Sequence, residues 1–134
     1  MSAAYLDASA LVKLFKPEKE SAELARRVED RIWISAEIVV VEVICTARRL
    51  GDDAILQRAE RVASRLELLP LTAHVRGRAL EAFARPLRSL DAIHAAAALS
   101  VADDLDFAVV YDIDLAAAMS AEGITVESPG ATTS

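Results

Sequence analysis

Residues 3–15 read AAYLDASALVKLF, and this stretch decides the fold. The apolar run from Ala3 to Leu6 has the length and composition of a buried strand. Apolar residues then recur at helical spacing as far as Phe15. Asp7 lies between the two elements, where it or Ser9 can cap the helix by accepting bonds from free backbone amides. Ligand crevices of open α/β sheets form at the carboxyl ends of strands, so Asp7 is also placed for chemistry.

The rest of the sequence repeats this alternation of strand and helix. Strands are predicted over residues 32–34, 68–71, 107–110 and 124–126. Helices are predicted over residues 18–30, 35–50, 52–67, 72–84, 89–102 and 116–122. Over residues 35–50 the β-branched side chains favour a strand, but Ser35 as an N-cap and Gly51 as a C-terminal stop favour a helix. The alternation predicts an α/β fold with a mainly parallel central sheet.

Length and composition indicate one globular domain. The sequence has 134 residues, of which 54% are hydrophobic, enough for a real core. We expect a single domain over residues 1–128, followed by a disordered C-terminal tail over residues 129–134. Cys45 is the only cysteine, so no internal disulfide can form. Neither a signal peptide nor an apolar run long enough to cross a bilayer is apparent, and we expect a cytoplasmic protein without a membrane partner.

Charge is distributed unevenly. The net charge is −6, which argues against simple electrostatic binding of nucleic acid. Residues 48–88 nevertheless carry nine arginines and five acids, whereas residues 89–134 carry eight acids and no Lys or Arg. Solvated helix faces would explain such runs, and so would a carboxylate-rich site neutralised by cations. The candidate phosphate contacts are Arg48, Arg49, Arg58, Arg61, Arg65, Arg76, Arg78, Arg85 and Arg88.

Four carboxylates stand at the ends of predicted elements: Asp7, Glu42, Asp91 and Asp112, with Asp114 as a possible fifth. Each has a purely structural alternative, either as a helix N-cap or, for Glu42, as an ion pair with an arginine. Parallel strands end at one edge of their sheet, and four acids there would repel one another unless divalent cations lay between them. Oxygen ligands without a Cys/His cluster suit Mg²⁺ or Mn²⁺ better than zinc.

At these residues the sequence resembles the PIN-domain family, and more closely the VapC-type ribonuclease toxins of type II toxin–antitoxin systems. The resemblance is carried by YLDASALVKLF, LDAIHAAAAL and VVYDIDLAAAM, in that order. It implies a three-layer PIN-like α/β fold, RNA cleavage with Mg²⁺ or Mn²⁺, a homodimer and inhibition by a cognate VapB-like antitoxin. By position, the four acids correspond to the family's catalytic metal site and Ser9 to its hydroxyl near the first acid. Val110 stands where such proteins often have Thr or Ser.

The implied mechanism needs no protein nucleophile, because metal ions held by the acids would activate a water and stabilise the leaving oxygen. His94 lies one turn after Asp91 and is interpreted as a packing or hydrogen-bonding residue rather than a ligand. One alternative is an aspartate-based phosphotransfer domain, although Ser9 stands where a second acid would be expected. The other alternative is a catalytically weak or inactive PIN-like binding module, in which the acids only cap helices and form ion pairs.

Overall fold

A computed structural model describes residues 2–131, which form five strands, seven α-helices and one short 3-10 helix over Ala102–Asp104. The strands are β1 (Ala3–Leu6), β2 (Ile32–Ala36), β3 (Glu67–Leu69), β4 (Leu105–Val109) and β5 (Val126–Glu127). The helices are α1 (Ala8–Phe15), α2 (Ser21–Val28), α3 (Val39–Leu50), α4 (Asp53–Arg65), α5 (Ala73–Ala79), α6 (Ser89–Ser100) and α7 (Ile113–Ala121). Among these residues, no helix is long and apolar enough to cross a membrane.

The five strands form one parallel sheet in the order β3-β2-β1-β4-β5. The polypeptide builds the sheet outward from β1 in one direction through β2 and β3, and then returns to add β4 and β5 on the other side. The strand order therefore reverses between β1 and β4. In open α/β sheets this reversal opens a crevice at the carboxyl ends of the two strands, which is where ligands bind.

Helices cover both faces of the sheet and make the fold three-layered. One face packs against α1 to α4, in a core that includes Leu11, Phe15 and Val43. The other face packs against α5, α6 and α7, in a core that includes Tyr5. All four residues of β1 are buried, as a central parallel strand requires. The predicted three-layer α/β architecture with a parallel sheet is thus confirmed.

The predicted N-cap at Ser35 is wrong. Ser35 and Ala36 continue β2 and pair with Leu68 and Leu69 of β3, so that the strand is two residues longer than predicted. The following helix, α3, begins only at Val39 and has no side-chain cap. Sheet pairing with β3 therefore outweighs the local capping preference of serine. At its other end α3 stops at Gly51, which has φ +69° as predicted for a helix terminator.

Other element boundaries shift by a few residues. Helix α2 begins at Ser21 rather than 18, because the Ser21 hydroxyl accepts the Glu18 amide and closes a turn before the helix. Helix α5 ends at Ala79 rather than 84, and Gly77 weakens its last turn. Helix α7 begins at Ile113 rather than 116, since the Asp112 carboxylate caps it. Strand β3 covers Glu67–Leu69 rather than residues 68–71 and lies at the sheet edge, because Pro70 has no amide with which to continue the ladder.

The predicted tail, residues 129–134, begins with two residues that contact the domain. The Pro129 carbonyl accepts the Tyr111 hydroxyl at 2.7 Å, and Gly130 lies against the backbone of Glu20. Residues 132–134 lie outside the described residues. Packing of the described chain therefore continues at least to Gly130.

Candidate active site

The topology brings four acidic side chains to the crevice between β1 and β4. Asp7 directly follows β1, and Asp112 follows β4 after two residues. Glu42 lies in the first turn of α3, the helix that follows β2, and Asp91 lies in the first turn of α6. We call these four residues the acidic edge. The pKa of Asp91 responds to both Asp112 and Glu42, and that of Asp7 to Asp91, so the four side chains share one electrostatic environment.

Asp7 is the buried member of the acidic edge, with 4% of its surface exposed. It caps α1: its Oδ1 accepts the Ala10 amide at 3.0 Å and the Ser9 hydroxyl at 2.7 Å. Burial raises its pKa from 3.8 to about 6, against the opposing effect of the Ser9 hydrogen bond, and the charge of Asp91 adds to the rise. Both capping bonds use Oδ1, so capping does not occupy the second carboxylate oxygen.

Ser9 connects the start of α1 to the loop after β4. Its Oγ donates to Asp7 and accepts the backbone amide of Tyr111 at 3.1 Å. Tyr111 immediately precedes Asp112, so one hydroxyl fixes the two loops that carry these acids. Val110, at the preceding position, is fully buried, and its carbonyl accepts the Ser128 hydroxyl at 2.6 Å. The side chain of residue 110 thus contributes to the core, while a serine from beyond β5 bonds the backbone there.

Asp91 and Asp112 form the more accessible part of the acidic edge. Asp91 is half-buried; its partial burial raises its pKa, and the charges of Asp112 and Glu42 raise it further. Asp112 is exposed, and its Oδ2 accepts the Leu115 amide at 2.9 Å as the cap of α7. Capping at Asp112, like that at Asp7, therefore coexists with a position among the other acids.

Glu42 is bonded to a histidine rather than to an arginine. Its Oε1 lies 2.7 Å from Nε2 of His94, which is 1% exposed. The other ring nitrogen of His94, Nδ1, lies 2.6 Å from the hydroxyl of Tyr5, and that hydroxyl accepts the Ala36 amide at 3.2 Å. The prediction of His94 as a hydrogen-bonding residue agrees with this geometry. The arginine ion pair considered for Glu42 is not formed within residues 2–131.

Asp114 lies outside the acidic edge. It is exposed, and its Oδ1 lies 2.8 Å from Nη1 of Arg85 on the segment between α5 and α6. A surface pair of this kind contributes little to stability. The geometry therefore separates Asp114 from the four acids with which the sequence grouped it.

The arginines of residues 48–88 do not share one face. Arg58 donates to the carbonyl of Phe15, and Arg65 stacks over Trp33 while donating to the carbonyl of Glu29. These bonds hold α4 against the rest of the domain. Arg49, in contrast, lines an apolar groove of about 450 Å³ that also contains Glu42. Arg88 immediately precedes α6, and its charge acts on Asp91.

The donors of the acidic edge fit a hard divalent cation in kind, since all four are carboxylates that repel one another. Within residues 2–131, however, no three His, Cys, Asp or Glu side chains are gathered into a ready-made metal cage. A cation would thus have to draw these side chains together on binding. The carboxylates at the crevice mouth, Asp91 and Asp112, have the solvent access that such a movement requires.

A model of the PIN domain matches residues 4–119. This chain belongs to the PIN-domain family. The match begins in β1 and ends in α7, so it includes every residue of the acidic edge. The resemblance inferred from YLDASALVKLF and LDAIHAAAAL is thereby confirmed at the level of the family.

Relatives of this PIN domain include VapC-type proteins. It is 36% identical over 138 residues to Ribonuclease VapC47 of Mycobacterium tuberculosis, covering 95% of this chain and 97% of the relative. It is 37% identical over 132 residues to Ribonuclease VapC35 of the same species, covering 94% and 96%. The alignments span nearly all of both partners, so the similarity extends over the whole domain.

Solved structures confirm the fold. VapC20 of M. tuberculosis, described as a Sarcin-Ricin loop cleaving toxin, superposes with TM-score 0.70 at 19% identity and covers 95% of this chain and 100% of that one. VapBC2 of Rickettsia felis, bound to a DNA fragment from its promoter, gives TM-score 0.69 at 14% identity and covers 95% and 98%. A toxin–antitoxin complex from Klebsiella pneumoniae gives 0.63 at 20% identity and covers 85% and 91%.

Sequence reasoning missed Tyr5 in this PIN domain. Its position inside a short buried strand indicates a core residue, and nothing in the local pattern places its hydroxyl against a histidine 89 positions away. The available signal was chemical: a buried phenol needs a hydrogen-bond partner, and so does a histidine in an alanine-rich helix. Pairing the two from sequence would have required the packing of α6 on the sheet.

Proposed function

We propose that this PIN domain is a VapC-like toxin, an endoribonuclease that cleaves RNA phosphodiester bonds with Mg²⁺ or Mn²⁺. One observation carries the proposal: four carboxylates, on four different elements, lie at the topological reversal of a parallel sheet, and Asp91 interacts electrostatically with each of the other three. Such repulsion is costly for a fold unless the acids serve a cation. The ribonuclease names of the similar VapC proteins supply the substrate class.

In this proposal Asp7, Glu42, Asp91 and Asp112 hold the cation. When bound, the cation supplies an activated water and neutralises charge on the phosphate and the leaving oxygen. The side chains around it fix the donors: the Ser9 hydroxyl orients Asp7, and His94 orients Glu42. Hydrolysis by water explains why the site needs no serine or cysteine nucleophile.

The test is cleavage of end-labelled total RNA by the purified protein in Mg²⁺, in Mn²⁺ and in EDTA. We expect discrete fragments in either metal, none in EDTA, and none from Asp7→Asn in any buffer. Cleavage that persists in EDTA would reject the metal mechanism, and cleavage by folded Asp7→Asn would remove Asp7 from it. A folded protein that leaves all RNA intact in both metals would favour the non-catalytic binding module.

Phosphate contacts are expected from Arg49, which lies beside the acidic edge, rather than from the arginines that hold α4. Arg49→Ala should weaken RNA binding. It should also make the slope of the plot of log binding constant against log salt concentration less steep by about 0.7, the value for one single-strand phosphate contact. Arg61 is a matched control, because it is also exposed but lies at the opposite end of the sheet. Its position there follows from Arg65, one turn later, which contacts the segment just before β2.

Fluorescence anisotropy with a labelled RNA, measured from 50 to 300 mM salt in Ca²⁺ on the Asp7→Asn background, gives both slopes without cleavage. Equal slopes for Arg49→Ala and Arg61→Ala would place the RNA elsewhere.

We propose a VapB-like antitoxin as the protein partner and a homodimer as the toxin's own state. Two of the similar structures are toxin–antitoxin assemblies, VapBC2 of R. felis and the K. pneumoniae complex. A basic antitoxin side chain placed among the acids would replace the charge of the cation and form charge-assisted hydrogen bonds. Co-expression with a VapB-like antitoxin should yield a complex that cleaves no RNA, and light scattering of the free toxin should give twice the mass of one chain.

A further inference from the structure

We propose that Tyr5 and His94 are positioning residues that fix the carboxylate of Glu42 through one continuous hydrogen-bond relay. The relay runs from the Ala36 amide to the Tyr5 hydroxyl, on to His94 and then to Glu42. Its meaning for catalysis rests on the function proposed above, in which Glu42 is a metal ligand. The geometry of the relay itself is independent of that function.

Donor and acceptor roles in the relay follow from counting protons. A Glu42 carboxylate only accepts, and the Tyr5 oxygen, which accepts the Ala36 amide, has a single proton to give to Nδ1 of a neutral His94 ring, 2.6 Å away. Nδ1 is then the acceptor of the ring, and Nε2 carries the ring proton. Nε2 donates that proton to Oε1 of Glu42 at 2.7 Å. Each group in the relay thus has one assigned role, and His94 is held as the Nε2-protonated tautomer.

Burial separates the positioning residues from the group they position. Tyr5 is fully buried and His94 is 1% exposed, so neither can touch an RNA. The Glu42 side chain is 20% exposed and lies at the crevice. Tyr5 and His94 can therefore influence the reaction only through Glu42.

Glu42 needs this support because it lacks the anchor that two other acids have. Asp7 and Asp112 are held by the helices they cap, whereas the Glu42 carboxylate is held by its hydrogen bond from His94. A glutamate also has one more rotatable bond than an aspartate. The relay connects Glu42 of α3 to α6, β1 and β2, so it converts a flexible side chain on a helix surface into one fixed by the core.

Two substitutions at one position separate positioning from simple core filling. The amide nitrogen of Gln can take the place of Nε2 and still donate to Glu42, whereas Asn reaches only the place of Nδ1 and the Tyr5 hydroxyl. We expect His94→Asn to weaken Mn²⁺ binding about 10- to 100-fold, the range for removed outer-shell partners. His94→Gln should stay within about threefold of the wild type, and Tyr5→Phe should fall between them. His74→Gln, on the exposed side of α5, is the control that changes nothing.

The measurements are calorimetric titration with Mn²⁺ and ¹⁵N NMR of the histidine rings in metal-free protein, with circular dichroism to verify folding. We expect the neutral Nε2-protonated tautomer for His94 and a slowly exchanging Nε2 proton that exchanges fast in Glu42→Ala. A ring that carries no proton on Nε2, or equal Mn²⁺ affinities for His94→Asn and His94→Gln, would overturn the relay. If the wild type binds no Mn²⁺, the proposed function fails, and the relay is decided by NMR alone: equal proton exchange in wild type and Glu42→Ala would reject it.

Discussion

Asp7→Asn is expected to lower RNA cleavage by more than about a hundredfold and to stabilise the metal-free protein at neutral pH. Loss of activity follows from the removal of one charged donor, since even outer-shell changes at metal sites cost ten- to a hundredfold. Stabilisation follows from burial, because the ionised carboxylate is 4% exposed and lies near Asp91. Asn retains an oxygen that accepts the Ala10 amide and the Ser9 hydroxyl, so the cap of α1 is preserved.

The pH dependence of this stabilisation has a defined sign. Folding raises the pKa of Asp7 from 3.8 to about 6, so between these values the folded state binds more protons than the unfolded state. The contribution of Asp7 to stability therefore falls as the pH rises through this window. A rise of this size corresponds to about 3 kcal/mol once the group is ionised, an upper value because local rearrangement relieves part of it.

Urea unfolding in EDTA at pH 4 and at pH 7.5 measures both proteins under matched conditions. We expect nearly equal unfolding free energies at pH 4 and an advantage of about 2–3 kcal/mol for Asp7→Asn at pH 7.5. Ser9→Ala serves as the comparison, because it removes a hydrogen bond that favours the ionised form and should enlarge the loss of stability with pH. An Asn variant that is less stable than the wild type at pH 7.5 would show that burial of Asp7 imposes no cost.

The topology of the sheet could be predicted from the sequence because its signals are local and consistent. The run from Ala3 to Leu6, the acid after it and the helical spacing to Phe15 all indicate the same strand and helix, and the structure has the predicted bounds for β1. Ser35 shows where local signals fail. Its preference for capping is a matter of about 1 kcal/mol, and pairing of β2 with β3 outweighs it.

The acidic edge could be predicted only in part, for a physical reason. In a parallel sheet the carboxyl ends of the strands lie at one edge, so residues such as Asp7 and Asp112 could be grouped without knowing distances. Partners within the group depend on side-chain packing, which no local pattern contains. Asp114 is the example: two residues after Asp112 in the sequence, it faces Arg85 instead of the other acids. Tyr5 is the converse example, since its partner lies 89 positions away in the sequence.

Mn²⁺ is expected to stabilise the folded protein, and Asp112 and Asp114 provide a matched pair to locate the effect. A ligand that binds only the folded state raises the unfolding free energy by about 2.7 kcal/mol at a concentration one hundred times its dissociation constant. Asp112→Asn removes a charge that acts on Asp91 but keeps an N-cap residue for α7, so it should bind Mn²⁺ more weakly without losing the helix. Asp114→Asn removes the same charge two residues away, from a surface pair with Arg85, and should respond to Mn²⁺ as the wild type does.

Thermal unfolding of the wild type, Asp112→Asn and Asp114→Asn is measured over a series of Mn²⁺ concentrations, with metal-free samples in EDTA as the zero point. Each tenfold loss of affinity lowers the stabilisation at saturating Mn²⁺ by about 1.4 kcal/mol. At each Mn²⁺ concentration Asp112→Asn should therefore gain less stability, relative to its own metal-free sample, than the other two proteins. If Asp114→Asn lost as much stabilisation as Asp112→Asn, general surface charge rather than the acidic edge would be attracting the cation. Because the two acids share a helix terminus and differ in which side chains they face, a difference between them assigns the cation to the crevice between β1 and β4.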